Sequence, residues 1–184
     1  MTALEMRDAS AEGRLVKTDF KSFLYWRDHG FPEAGVRDGF GSALIRARDG
    51  AILLGRQSAG HINSGMTYLP GGFIDDRDVG ADGIVRLGDS IAREVAEETG
   101  LELADLVPSD GFLVTRAGPQ VSFARTFLSP LDGEALARRV REFLSRQSGA
   151  ELADVVLVRE PADCASLAMP AFARHLLPVV LRAP

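Results

Sequence analysis

Cysteine is almost missing from this 184-residue chain. Cys164 stands alone, which rules out an intrachain disulfide framework and fits a reducing compartment, so a cytoplasmic setting is expected. It has no recognisable activating partner nearby, so thiol nucleophilic catalysis is not expected. Histidine is nearly as scarce. His29, His61 and His175 have no mutual spacing that would let imidazoles share a metal. No apolar run approaches the roughly 20 residues a membrane-spanning helix needs. The start, from Met1 to Asp8, is polar and acidic rather than basic then apolar, so neither a membrane partner nor a secretory leader is expected. Positive charge is not in excess either. The formal net charge of −5 lacks the basic field of a nucleic-acid binder, and no nucleic-acid partner is expected. Internal repeats and low-complexity tracts are also absent. What remains is 46% hydrophobic with a mean hydropathy of +0.02, the balance of one globular domain, with a modest extension, that can bury a core.

Residues 1–38 show no clear period. Phe20, Phe23, Leu24, Tyr25 and Trp26 form an apolar cluster before the turn-like Asp28-His29-Gly30-Phe31-Pro32, and the stretch reads as an N-terminal packing segment. From about residue 39 the signal sharpens. Ser42–Arg46 and Ala51–Leu54 read as a hairpin around Arg48-Asp49-Gly50. Met66–Leu69 reads as a strand ending at Pro70-Gly71-Gly72, and the aspartate- and glycine-rich residues 75–83 as irregular. Ile91–Thr99 reads as a helix stopped by Gly100. Gly111–Thr115 and Val121–Leu128 follow as a strand pair, then a helix over 133–146, a strand over Val155–Arg159 and a closing helix over Ala171–Leu181. Strands on both sides of helices predict an α/β fold with helices packed on a mixed sheet.

The chemistry concentrates in Arg93-Glu94-Val95-Ala96-Glu97-Glu98-Thr99-Gly100-Leu101. At helical spacing Glu94, Glu97 and Glu98 fall within a sector of roughly 100°, while Ile91, Val95 and Thr99 occupy the adjoining one. Carboxylates crowded on one face repel, so something must offset them. A divalent cation with oxygen ligands does so, and Arg93 can pair with one of them and hold its rotamer. The bland alternative is a solvated acidic face. It accounts for the carboxylates but not for the preceding Pro-Gly-Gly, the Arg-Glu pair and the closing Gly.

That combination resembles the box of the Nudix family, G-x5-E-x7-R-E-U-x-E-E-x-G-U with U aliphatic. Arg93 through Leu101 matches the second half completely. The first half begins at Gly72, and after five residues Asp78 stands where the family has Glu. Counting back from Arg93 instead puts Val85 there, so the chain carries an insertion within about 79–90. Asp78, Asp82 and Asp89 compete for the missing carboxylate's role, Asp89 also serving as a helix cap.

The resemblance implies a Nudix-type α/β/α sandwich with a mixed sheet over residues 39–184. It implies Glu97 and Glu98 as principal metal ligands, Glu94 assisting, the Gly72 carbonyl and Asp78 as further ligands, and Arg93 in the catalytic group. The cofactor implied is Mg²⁺ or Mn²⁺. The reaction implied is hydrolysis of a pyrophosphate bond in a nucleoside diphosphate linked to another moiety, a small-molecule partner, with homodimers common in the family. The base is Glu97, Glu98 or a carboxylate beyond the box, for which Glu151 in Gly149-Ala150-Glu151 is the candidate, its other reading being an exposed loop residue. Arg56 is a candidate phosphate contact or a strand-end surface residue. Arg138, Arg139, Arg141 and Arg146 read as a solvated basic face.

Leu53-Leu54-Gly55-Arg56-Gln57-Ser58, Ser64-Gly65 and Pro70 through Asp78 are also partly similar to the signature of coenzyme A-cleaving members, although Gly60-His61-Ile62-Asn63 replaces its Arg-x-His piece. A rival of another class is a Nudix-fold module that binds a nucleotide or protein without turning it over, favoured by the substituted first carboxylate. An isoprenoid diphosphate isomerase is disfavoured because Cys164 lies far from the box.

Overall fold

The structure, a computed structural model, describes residues 1–7 and 10–182. In chain order its strands are β1 (Ala3–Arg7), β2 (Ser10–Arg14), β3 (Asp38–Arg46), β4 (Ile52–Gln57), β5 (Thr67–Tyr68), β6 (Val107–Pro108), β7 (Leu113–Ala117), β8 (Gln120–Leu128) and β9 (Leu152–Val158). Its α-helices are α1 (Phe20–Asp28), α2 (Leu87–Thr99), α3 (Gly133–Leu144) and α4 (Ala171–Val180).

β3 through β9 form one mixed sheet. β3 and β8 run parallel in register from Asp38↔Gln120 to Arg46↔Leu128, whereas β4 pairs antiparallel with β5 and β9. The hairpin around Arg48-Asp49-Gly50 closes as expected, but β3 and β4 share only Ile45↔Leu53 and Arg46↔Ile52 before they splay apart. The opening left between them is where the Pro70–Gly72 segment enters.

Strand alternation builds two cores. Ala43, Ile45 and Leu53 pack with Ile91 and Val95 of α2 and with Leu136 and Val140 of α3. Leu44, Ile52 and Leu54 point the other way, onto Phe172, Ala173 and Leu177 of α4. Helices therefore cover both faces of a mixed sheet, the α/β/α sandwich expected. α2 comes close to β3 because Gly41 has no side chain: a Cβ there would stand 2.6 Å from Cγ1 of Ile91.

Several boundaries differ from expectation. α2 starts at Leu87, so Asp89 lies in its first turn and Arg86, without a side-chain cap bond, is the N-cap. Within 1–38, where the sequence shows no clear period, β1 pairs antiparallel with β2 and Asp19 caps α1 through the Ser22 N–H. Their pattern is hard to read because all but one of the ten strand residues are exposed and α1 buries none, so no face is selected for apolar side chains. α1 meets the domain through Phe23, whose ring lies 4.9 Å from that of Phe73. Among the described residues no helix is long and apolar enough to cross a membrane.

Candidate active site

The segment after β5 runs along β3 with two of its carbonyls turned toward that strand. Pro70 O accepts from Ala43 N at 2.7 Å and Gly72 O accepts from Gly41 N at 3.3 Å. Gly71 between them has φ +151°, and a Cβ there would lie 2.3 Å from Gly41 O. Only glycine tolerates both conditions. The Gly71 N–H points at α2 and donates to Glu98 Oε2 at 2.8 Å. A Cβ on Gly72 would lie 2.3 Å from Glu94 Oε2. The two glycines thus let backbone slide between the sheet and the carboxylates of α2.

Those carboxylates are unequal. Glu98 is 5% exposed, and burial first, then the charge of Glu151, pushes its pKa well up despite the Gly71 hydrogen bond. Glu94 is also raised, by burial first, with Arg93 opposing. Glu97 keeps 53% of its side chain in solvent. Arg93 reaches Glu94 Oε1 at 2.7 Å and Glu97 Oε2 at 3.4 Å, so it steadies two of the three box carboxylates rather than one.

The other end of the same guanidinium reaches Asp78. Its Nη2 lies 3.1 and 3.2 Å from the two Asp78 oxygens, and Asp78 Oδ2 also accepts from Ser90 Oγ and from Asp75 N, each at 2.9 Å. With 4% of its side chain exposed, Asp78 is engaged in these hydrogen bonds and anchors Arg93. Asp82 pairs with Arg86 on the surface, and Asp89 stands in the first turn of α2. The insertion explains how Asp78 keeps this place. It lies fifteen positions before Arg93, seven more than the family spacing. Val79 and Val85 bridge antiparallel, Gly80 N donates to Ile84 O, and Arg86 N returns to Asp78 O at 2.7 Å. The extra residues close on themselves as a small hairpin and leave both ends where a shorter chain would have them.

A fourth carboxylate joins from β9's leading loop. Glu151 adds its charge to Glu98, Glu94 and Tyr68, and its Oε1 accepts from Gln57 Nε2 at 3.0 Å. Tyr68, half-buried and holding Asn63 Nδ2 at 3.0 Å, has its phenol pKa pushed up, chiefly by burial. Four carboxylates thus influence one another around the Pro70–Gly72 turn, and among the described residues neither Glu98 nor Glu151 forms an ion pair.

A family model described as NUDIX domain matches residues 36–159, about two-thirds of the chain. The chain belongs to the Nudix family. Its fold is similar to a Nudix hydrolase of M. smegmatis, RenU, at 22% identity and a TM-score of 0.52, over 80% of this chain and 88% of that one. It is similar to the MutT protein of Methanosarcina mazei Go1 at 24% identity and a TM-score of 0.50, over 79% and 93%. A third likeness is to a bifunctional NMN adenylyltransferase/ADP ribose pyrophosphatase of Francisella tularensis complexed with AMP and a Mn ion. There the identity is 17% and the TM-score 0.51, over 88% of this chain and 46% of that one. At these identities the likeness concerns the fold alone. No functionally curated protein matches the chain.

Within this Nudix domain the donor set suits a hard divalent cation. It is all oxygen and anionic, its buried member is destabilised by its neighbours, and Arg93 hydrogen-bonds Glu94 and Glu97 but not Glu98. Among the described residues no three acidic, imidazole or thiol groups are already gathered as ligands, so a cation would be enclosed by rotation of side chains such as the exposed Glu97. The Gly72 carbonyl faces β3; the Gly71 carbonyl accepts no hydrogen bond among the described residues and is the turn's less engaged oxygen. Arg56 is exposed on β4 between Thr67 and Asp154 and is not brought onto the box carboxylates. Cys164 is partly buried beside the α4 core, with its thiol pKa raised by burial. Sequence reasoning missed Gln57, Tyr68 and Ser90. Ser90 was findable, three positions before Arg93 on the same helical face. Gln57 and Tyr68 carried no local signal.

Proposed function

We propose that this Nudix domain is a divalent-metal-dependent hydrolase that cleaves a pyrophosphate bond in a nucleoside diphosphate linked to another moiety. The observation that carries this reading is Glu98. It is a carboxylate kept out of water on one backbone hydrogen bond, with Glu94, Glu97 and Glu151 acting on it, an arrangement costly in itself and relieved by a cation.

Glu97 and Glu98, with Glu94 and the Gly71 or Gly72 carbonyl, would hold Mg²⁺ or Mn²⁺. Such an ion, when bound, supplies charge neutralisation on the diphosphate and lowers the pKa of a coordinated water. Arg93, fixed by Asp78, keeps Glu94 and Glu97 in place as the substrate enters. Glu151 takes a proton from the attacking water as the water oxygen forms a bond to one phosphorus. The bridging P–O bond breaks and its electron pair leaves with the second phosphate. Arg56, exposed on β4, is the candidate contact for a substrate phosphate. The Francisella tularensis neighbour's AMP and Mn ion are compatible with this substrate and cofactor class.

The substituted first carboxylate does not favour a purely binding module, since Asp78 keeps Arg93 in spite of its shorter side chain. The test is a panel of ADP-ribose, a nucleotide sugar, NADH, a dinucleoside polyphosphate and coenzyme A, each with Mg²⁺, Mn²⁺ or chelator. Turnover of at least one compound, abolished by chelator, is expected. Tight binding of a panel member with no turnover under any metal would contradict the reading.

A further inference from the structure

Gln57 is 3% exposed, at the last position of β4. Its Nε2 donates to Glu151 Oε1 at 3.0 Å, while its Oε1 is buried with no hydrogen-bond partner among the described residues. The amide orientation follows from chemistry, since Oε1 turned toward an ionised carboxylate would repel it. An unpaired buried oxygen is destabilising, because it gives up water and gains no partner. An apolar side chain of the same length would fill the space without that cost, so packing does not account for the glutamine.

Its surroundings point the same way. The β4–β9 register shifts between Arg56 and Gln57, with Arg56 opposite Asp154 but Gln57 opposite Leu152. Such a bulge re-aims a side chain, and bulges concentrate beside active sites. The Gln57 backbone is locked on its other edge, donating to Met66 O at 2.9 Å and accepting from Gly65 N at 3.1 Å. Ser58 completes the grip on the loop, its N–H donating to Glu151 O and its hydroxyl to Ala150 O, both at 2.8 Å. The loop is held by one side-chain bond at the Glu151 carboxylate and two bonds from Ser58 to its backbone.

We propose that Gln57 is a positioning residue for the hydrolysis, orienting the Glu151 carboxylate toward the attacking water through the Nε2–Oε1 hydrogen bond, with Ser58 fixing the loop beneath it. The inference rests on the hydrolase reading, in which Glu151 is the base. Gln57 acts through Glu151 and does not itself touch the reacting atoms. Its retention at a buried position is then a trade of stability for activity.

The experiment is a double-mutant cycle of Gln57→Met and Glu151→Gln, assayed with the panel compound the wild type turns over, ADP-ribose first, under Mn²⁺. Glu151→Gln is expected to lower kcat by about 10²–10⁴-fold. Gln57→Met is expected to lower kcat by about 10–100-fold with KM little changed and a melting temperature equal to or above wild type. In the Glu151→Gln background it should change kcat by less than about twofold, because the group it orients is gone. Gln57→Asn, which keeps the amide but cannot reach, should lose kcat as Gln57→Met does. An unchanged kcat in Gln57→Met, or a loss that is undiminished in the Glu151→Gln background, overturns the inference while leaving the hydrolase reading in place. A wild type inert toward the whole panel would overturn both.

Discussion

Two acidic side chains of the box environment have opposite fates. Asp78 has its charge matched by Arg93 and its oxygens filled by Ser90 and the Asp75 N–H. Glu98 has one hydrogen bond and three anionic neighbours. Its folded-state pKa is raised above the ordinary carboxyl value of 4.5, so the folded chain holds this proton more tightly than the unfolded chain. Stability from this group is therefore fully present below about pH 4.5 and is lost as pH rises through the raised value. Replacing it by an uncharged isostere removes the loss. Glu98→Gln, whose amide oxygen can still accept from Gly71, should melt at least roughly 2–4 °C above wild type at neutral pH in chelator, and the gain should shrink toward acid pH. Thermal melts across pH check this; a lower neutral-pH melting temperature would count against the burial argument. The box half from Arg93 to Leu101 was legible in the sequence because its residues are neighbours on one helix. The fate of Asp78 was not, because the atoms that satisfy it come from a side chain fifteen positions away whose register the insertion hides.

At the scale of elements, the decisive feature is that the insertion begins and ends at one hydrogen bond, Arg86 N to Asp78 O. A hairpin closed at its base can be lengthened or removed without moving what lies on either side. Deleting Val79–Val85 and joining Asp78 to Arg86 should leave the fold intact and kcat within about threefold, since Arg93 still reaches Asp78. A collapse of activity with the fold retained would mean that the hairpin itself contacts substrate. Helices α2, α3 and α4 and the main strands were readable from periodicity, since each buries one face. The parallel pairing of β3 with β8 was not, because residues some eighty positions apart leave no local trace. Neither was the hairpin β1–β2, whose exposed faces impose no alternation.

Across the whole molecule, a chain of net charge −5 gathers four mutually acting carboxylates around the Pro70–Gly72 turn, and Arg93 hydrogen-bonds two of them. If, as proposed, this site takes a hard cation, cation binding is linked to folding of the domain. A ligand at a hundred times its Kd stabilises the folded state by about 2.7 kcal/mol. The most direct measurement is the melting temperature of wild type and of Glu98→Gln, side by side, through a Mn²⁺ titration at neutral pH. Wild type should rise by roughly 5–10 °C and level off, while Glu98→Gln, although starting higher, stays nearly flat. Parallel rises in the two proteins, or no rise in either, would contradict the claim that the buried glutamate of α2 holds a metal ion.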